Sequence, residues 1–230
     1  MFRDALLVAG KDLRIELRSR VTTNQVAPFA VLVLVLFAFA LDPDRGVLGR
    51  ATAGLFWVAV LLCTLLAVQR TFALETADGT RDALRLSGLD PAGVFLGKLG
   101  AVVAQLLALE VVLGVGVAVL YDTSVDTDGA SPVAVVAALV VTALVATLGL
   151  GAAGTLYGVL AAGLRVRETL LPLLLLPVTA PVLIGATRAF ESALDGVPSE
   201  SWPWTGLLAV FALVYTAVGL AAFGPLLEES

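Results

Sequence analysis

Residue types that carry out acid–base or metal chemistry are scarce in this chain. Its 230 residues include no histidine, one cysteine and one methionine. Histidine is the commonest general base in enzymes, and histidine and cysteine supply most protein ligands for zinc, copper and haem iron. We therefore expect neither catalytic residues nor a metal site. The lone cysteine, Cys63, stands inside an apolar run and is predicted to be a small buried packing residue.

One acid, Glu110, stands well inside a long apolar run, between Leu109 and Val111. An ionised carboxylate at the centre of a bilayer costs on the order of 3 kcal/mol on insertion scales, so Glu110 needs a compensating interaction. A functional Glu110 would be a substrate contact, a proton site or part of a polar seam with Gln105. The structural alternative is a protonated or interhelically hydrogen-bonded carboxyl group nearer the outer half of the bilayer.

A P-loop for ATP would require the pattern GxxxxGK[ST], because backbone amides and the lysine hold the phosphates. The pair Gly97 and Lys98 is followed by Leu99, and Ala92 stands where the first glycine should be. The other Gly-Lys pair, at residues 10 and 11, fails at the same two positions. Any dependence on ATP is therefore expected to come from another chain.

The composition predicts repeated membrane crossings. Hydrophobic residues make up 59% of the chain and charged residues 14%, and the mean hydropathy is +1.00. Continuous apolar runs of about 20 residues suit helices that cross the hydrocarbon core, rather than strands. We predict an all-α membrane protein with six transmembrane helices, forming one domain over residues 1–230. The predicted spans are residues 26–41, 51–74, 94–120, 132–164, 169–190 and 205–227.

Residues 1–21 form a basic segment ahead of the first predicted span. Leu6, Leu13 and Leu17 recur at helical spacing among one lysine and four arginines. This pattern predicts an amphipathic helix that lies in the membrane interface rather than crossing the bilayer. The alternative is a lead-in helix solvated by the cytoplasm.

The distribution of Lys and Arg between the two sides of the membrane predicts the orientation. With a cytoplasmic N-terminus, eleven cations lie inside and three outside, so both termini of this multi-pass cell-membrane protein are expected in the cytoplasm. The inner cations are Arg3, Lys11, Arg14, Arg18, Arg20, Arg70, Arg81, Arg85, Lys98, Arg165 and Arg167, and the outer ones are Arg45, Arg50 and Arg188. The outer loops are acidic, and their acids either solvate a surface facing high salt or bind cations. A polar loop with Trp202 and Trp204 is expected before the last span, at the level of an aromatic belt.

A polar cytoplasmic stretch, residues 75–93, separates the second and third predicted spans. It opens with acids, and Thr80 and Gly88 have the residue types that begin and end short helices. A short amphipathic helix here would suit docking into a groove on a soluble partner, whereas the alternative is an ordinary solvated loop.

A GxxxG pair, Gly154 and Gly158, lies in the fourth predicted span. Small residues at this spacing let two helices approach closely. The pair predicts helix packing, either between spans of one chain or in a homodimer.

Four segments, taken in order, resemble the haem exporter protein B (CcmB) family. They are the basic lead KDLRIELRSR before a span containing Pro28, the run from FWVAVLLC to GVFLGK, the glycine-rich fourth span ending at Arg165, and LLPLLLLPVTAPVLIGATRAFESAL. The similarity covers nearly the whole chain. It implies a six-span permease subunit of the ABC-2 type that serves haem export in cytochrome c maturation. The chain departs from the family pattern in its acidic outer loops and in Gly88, where proline is expected.

The resemblance also implies which residues contact a separate ATPase subunit. Those in the N-terminal helix are Arg14, Glu16 and Arg18, and those between spans two and three are Glu75, Asp78, Gly79, Arg81, Asp82 and Arg85. Further implied partners are a haem-handling membrane subunit and a haem chaperone, with haem as the cargo of the complex. No cofactor is expected to bind this chain directly, and no nucleic acid is expected as a partner.

Two other functions are compatible with the residues. An ABC-2 permease could carry a lipid, polysaccharide or drug instead of haem. A secondary transporter or scaffold would need no ATPase, but a transporter of that kind predicts several charges inside the membrane, and only Glu110 is clearly placed there.

Overall fold

The computed structural model describes residues 1–20, 22–41, 46–77, 88–121, 130–162 and 167–229, and every regular element among them is helical. The all-α prediction is therefore confirmed. The α-helices are α1 (Phe2–Ser19), α2 (Ala27–Ala40), α3 (Val47–Ala77), α4 (Pro91–Leu120), α5 (Pro132–Ala162), α6 (Arg167–Leu194) and α7 (Ser201–Glu229). A π-helical turn, Thr22–Val26, precedes α2, and a 3₁₀ turn, Pro198–Glu200, precedes α7.

Five of these helices, α3 to α7, are long and apolar enough to cross a membrane. The helix α2 has 14 residues, which span about 21 Å at 1.5 Å per residue, less than the roughly 30 Å of hydrocarbon. Phe2–Ser19 and Asn24–Ala40, bent by 55° with respect to each other, pass the same test only as a pair, so the described residues hold five candidate spans, or six if this pair counts as one. The chain is thus a multi-pass membrane protein with the predicted order of spans.

Helix ends differ from the predictions by a few residues. The fourth apolar region is one continuous helix, α5, as expected. The loop predicted around Trp202 and Trp204 is wrong, because α7 already begins at Ser201 and both tryptophans lie in its first turn. Pro203 fits there, since the first backbone N–H groups of a helix have no intrahelical partner and a proline loses nothing by lacking one.

The glycine pair in α5 packs against α3 within the same chain. A Cβ added to Gly154 would lie 2.7 Å from Val68 Cγ2, and one added to Gly158 would overlap the ring of Phe72 and lie 2.9 Å from Val68 Cγ1. Only a hydrogen atom fits at either position. This contact brings α5 onto the inner half of α3.

The N-terminal helix α1 packs on the first turns of α4. A Cβ on Gly93 would lie 2.8 Å from the carbonyl oxygen of Met1, and one on Gly97 would lie 2.7 Å from that of Ala5. Two glycines one helical turn apart therefore let the backbone of α1 rest directly on α4. The positive-inside bias assigns this end of the bundle to the cytoplasm, and we refer to it as the inner end.

Replacing Gly158 by alanine is expected to destabilise the helix bundle by about 1 to 3 kcal/mol, because the added methyl group overpacks the seam against Phe72. Gly100→Ala is the matched control, since a Cβ at Gly100 meets nothing within 4 Å and alanine has the higher helix propensity. Thermal unfolding of both variants in detergent would check this. Equal shifts of the melting temperature in the two variants would contradict the close α3–α5 contact.

Candidate functional site

The acids of α1 lie on the side of the helix that faces the bundle. Asp4, Asp12 and Glu16 share one face with the buried Val8, because these four positions recur every four residues. Glu16 pairs with Arg70 of α3, and Asp12 pairs with Lys98 of α4 and with its neighbour Lys11. Asp4 pairs with the N-terminal ammonium of Met1. A polar cluster therefore fixes α1 to the inner ends of two spans.

Lys98 of α4 is the most buried charged residue in this cluster. Its side chain is only 1% exposed, its Nζ lies 3.6 Å from Asp12 Oδ2, and it lies 5.3 Å from the centre of the Phe72 ring. Taking an ammonium out of water costs several kcal/mol unless an opposite charge compensates it. Asp12 of α1 and the face of the Phe72 ring contribute to that compensation, so α1 stabilises the buried Lys98.

Glu16 and Arg70 make the second connection, between α1 and α3. Arg70 Nε donates to Glu16 Oε2 at 3.0 Å, and Arg70 Nη2 donates to Ser19 Oγ at 2.8 Å. The other oxygen of Glu16 accepts from the backbone N–H of Thr22 at 2.6 Å. Burial alone would raise the pKa of Glu16, but the Thr22 hydrogen bonds and the Arg70 charge outweigh it and hold this pKa below its usual value.

The connection between residue 88 and α4 is also specified by local chemistry. Gly88 has a φ of +68°, a left-handed conformation that glycine adopts at little cost. Asp90 caps α4 by accepting from the backbone N–H of Ala92 at 3.1 Å, and Pro91 occupies the first helical position. The direction in which the chain enters α4 is therefore set by the left-handed glycine, the N-cap and the proline that follows it.

The outward surface of α1 carries its arginines. Arg3, Arg14 and Arg18 are exposed and lie close together around the helix, because they are separated by eleven and four residues. Phe2, Leu6 and Leu17 are exposed on an adjacent apolar strip of the same helix. The exposed side of α1 is thus both basic and apolar, as expected for a helix at a membrane surface or a partner contact.

The structure separates the residues that the family resemblance grouped together. Arg14 and Arg18 face outward, whereas Glu16 is bonded inside the chain. Glu75 lies in the last turn of α3. Asp78, Gly79, Arg81, Asp82 and Arg85 lie outside the residues that the structure describes.

Sequence reasoning missed the roles of Lys98, Asp12 and Arg70 in fixing α1. Two signals could have indicated them. Lys98 stands only seven residues into a span, and the acids at positions 4, 12 and 16 follow the helical period on one face.

Glu110 lies far from this cluster along α4, in the outer half of the membrane. Its side chain is buried, and Thr147 Oγ1 of α5 donates a hydrogen bond to Glu110 Oε1. Gln105 is half-buried and lies about 140° away around α4, given 100° per residue. The structure thus brings Glu110 to Thr147 rather than to Gln105.

These features define a multi-pass α-helical membrane protein whose N-terminal helix is clamped by ion pairs to the inner ends of two spans. The chain belongs to the CcmB protein family, whose model matches residues 3–229. It is 31% identical over 222 residues to the Heme exporter protein B of Paracoccus denitrificans, covering 95% of this chain and 94% of that protein. The protein of the same name from Haemophilus influenzae is 33% identical over 95% of this chain and 93% of its own length. For the Escherichia coli K12 protein the identity is 30%, over 83% of each chain. The chain is accordingly a multi-pass protein of the cell membrane.

Removing either member of the buried pair should destabilise the protein. Lys98→Met and Asp12→Asn are each expected to lower the free energy of unfolding by about 3 kcal/mol, because each breaks the buried ion pair between α4 and α1. The double variant should cost clearly less than the sum. Exchanging the exposed pair Arg188 and Glu191 for Met and Gln is the control and should cost less than about 1 kcal/mol. Denaturant titration in mixed micelles would measure all four variants, and additive single costs would contradict the coupling.

The attachment of α1 should depend on pH through Glu16. Because the folded-state pKa of Glu16 is lowered, its carboxylate contributes stability above the ordinary value of 4.5 and loses it as the pH falls through the lower folded value. Glu16→Gln should therefore expose α1 to hydrogen exchange at neutral pH, and the difference from wild type should shrink below pH 4.5. A difference that stays constant across this range would show that the ionised carboxylate is not what holds α1.

Proposed function

We propose that this chain is the membrane permease subunit of an ATP-driven complex that serves haem export for cytochrome c maturation, with ATP hydrolysed by a separate ABC-type subunit. Membership of the CcmB family and the similarity to proteins named Heme exporter protein B support haem export. The lack of a P-loop pattern in the sequence supports a separate ATPase. The observation that carries the proposal is the clamped helix α1, with its cations facing outward at the inner end of the bundle.

The proposed contact regions converge on one pair of spans. Residues 78–87 connect the end of α3 to the start of α4, and α1 is fixed to the same two helices through Arg70 and Lys98. A partner that presses on either region would therefore displace the α3–α4 pair. Movement of these helices against the rest of the bundle is how a closing ATPase would change the membrane domain.

The charged residues of α1 fall into two groups, acids that bind within the chain and arginines that face outward. Glu16 and Asp12 hold the helix in place, while Arg14 and Arg18 remain available to an acidic surface. Glu16 therefore acts as a positioning residue, and the two arginines make the direct contact. Complementary charges of this kind steer association and fix the register of two partners.

Haem in this proposal is cargo of the whole complex, which also includes a haem-handling membrane subunit and a haem chaperone. The chain has no histidine to serve as an axial ligand for haem iron. Its own role is then to convert ATP-driven movement into a change of the membrane domain, while other subunits bind haem.

Charge reversal at Arg14 and Arg18 together should reduce capture of the ATPase by about tenfold or more, because like charges facing each other across an interface cost several kcal/mol. The measurement is co-purification of the tagged chain with a candidate ABC-type ATPase from the same genome in mild detergent. Arg188→Glu is the matched control, since it reverses an exposed cation on the opposite side of the membrane. A second pair of reversals, at Arg81 and Arg85, tests the other contact region.

The outcomes separate the candidate functions. Loss of capture with the Arg14/Arg18 variant but not with the Arg188 variant supports the ATP-driven complex. Failure of the folded wild-type chain to capture the ATPase would contradict it and favour a transporter or scaffold that works without ATP. If the wild-type chain captures the ATPase but the resulting complex does not support cytochrome c maturation, the cargo would instead be a lipid, polysaccharide or drug.

A further inference from the structure

A cavity of about 580 Å³ lies between α3, α4, α5 and α6, in the outer half of the membrane. Its walls are apolar apart from Glu110 and Thr52. Val111 of α4 and Val140 and Leu144 of α5 line it and are also exposed, so the cavity opens sideways toward the hydrocarbon. Its volume is that of a site for a small organic ligand.

Glu110 is the polar group of this cavity and is only 7% exposed. Its Oε1 accepts from Thr147, but its Oε2 is buried and has no hydrogen-bond partner among the described residues. Buried polar atoms nearly always have a partner, and the exceptions call for an explanation. The hydroxyl of Thr52 donates to the carbonyl oxygen of Leu48 at 3.0 Å, so its hydrogen is already used. Thr52 therefore supplies no hydrogen to Glu110 Oε2, and a donor can reach this oxygen from the cavity.

The rest of the lining indicates what kind of molecule fits. Phe56 and Phe190 line the cavity with rings stacked 5.3 Å apart, which gives it a flat aromatic wall. Glu110 is the one charged residue among the described lining residues, so a cation entering here would find only the Thr52 hydroxyl oxygen as a further polar group to solvate it. A neutral donor meets the requirement of Oε2 at a lower desolvation cost.

We propose that this cavity is a binding site for a neutral, membrane-dissolved amphiphile that presents one hydroxyl group to Glu110 Oε2 and enters sideways from the outer half of the bilayer. Its apolar body contacts the aromatic wall and the exposed valines of α4 and α5. This site is distinct from the inner-end cluster, and it does not require the proposed function.

Access to Glu110 can be measured with dicyclohexylcarbodiimide, an apolar reagent that reacts with intramembrane carboxyl groups. The chain in nanodiscs would be treated with the reagent, and the modified peptide located by mass spectrometry. Wild-type Glu110 is expected to be labelled and Glu110→Gln unlabelled. Absence of wild-type labelling would overturn the proposal, because a cavity open to the bilayer admits the reagent.

A matched pair of glycine variants separates filling of the cavity from damage to the fold. Gly114 lines the cavity and Gly100 does not, both stand on α4, and a Cβ at either meets nothing within 4 Å. Gly114→Leu should reduce labelling several-fold, whereas Gly100→Leu should leave it unchanged, with equal melting temperatures. Equal labelling of the two variants would show that the reagent reaches Glu110 by another route.

Competition then tests the class of ligand. Dodecanol, dodecane and dodecylamine would be added to the nanodiscs at equal mole fraction before labelling. Dodecanol should protect Glu110 about threefold to tenfold better than dodecane, the range expected for one buried hydrogen bond. Equal protection by dodecane would reduce the site to an apolar crevice, and stronger protection by dodecylamine would overturn the assignment of a neutral ligand.

Discussion

A lysine ammonium buried at the inner end of the bundle is the constraint on which the arrangement of the N-terminal helix depends. Lys98 is almost fully removed from solvent, so it needs a counter-charge, and α1 supplies one in Asp12. The approach is possible because Gly93 and Gly97 leave no side chain between the two backbones. Glu16 and Arg70 then extend the same connection from α4 to α3.

The charged residues of α1 and α4 differ in what they contact. On α1 the acids are used within the chain and the arginines face outward, so one short helix is both fixed to the bundle and basic at its surface. The two buried charged residues of α4, Lys98 and Glu110, stand about 18 Å apart along the helix axis, at 1.5 Å per residue. Lys98 finds its counter-charge inside the chain, whereas one oxygen of Glu110 has no partner among the described residues. The inner end therefore suits transmission of movement, and the outer cavity suits a ligand.

Hydropathy and charge distribution predicted the fold class, the order of the spans and the amphipathic helix at the N-terminus. They placed helix ends less well. The segment around Trp202, for example, is polar enough to suggest a loop, yet it forms the first turn of α7. The periodicity of α1 identified its faces but not what covers each face. The family resemblance grouped Glu16 with Arg14 as an ATPase contact, and the charge count placed Lys98 among the inner cations; the structure bonds Glu16 to Arg70 and buries Lys98. Which polar residue is buried depends on distant packing, here the glycines of α4, which a pattern within one helix cannot show.

The central claim is that α1, α3 and α4 move as one body, and pulsed electron paramagnetic resonance tests it most directly. Spin labels at Leu17 of α1 paired with Gly100 of α4, or with Val218 of α7, would be introduced at exposed positions in a Cys63→Ala background. The proposed complex with an ATPase subunit would be compared without nucleotide and after trapping with ATP and vanadate. We expect the distance between 17 and 100 to stay constant while that between 17 and 218 changes. A change in the distance between 17 and 100 would show that α1 moves relative to α4, and would contradict the account.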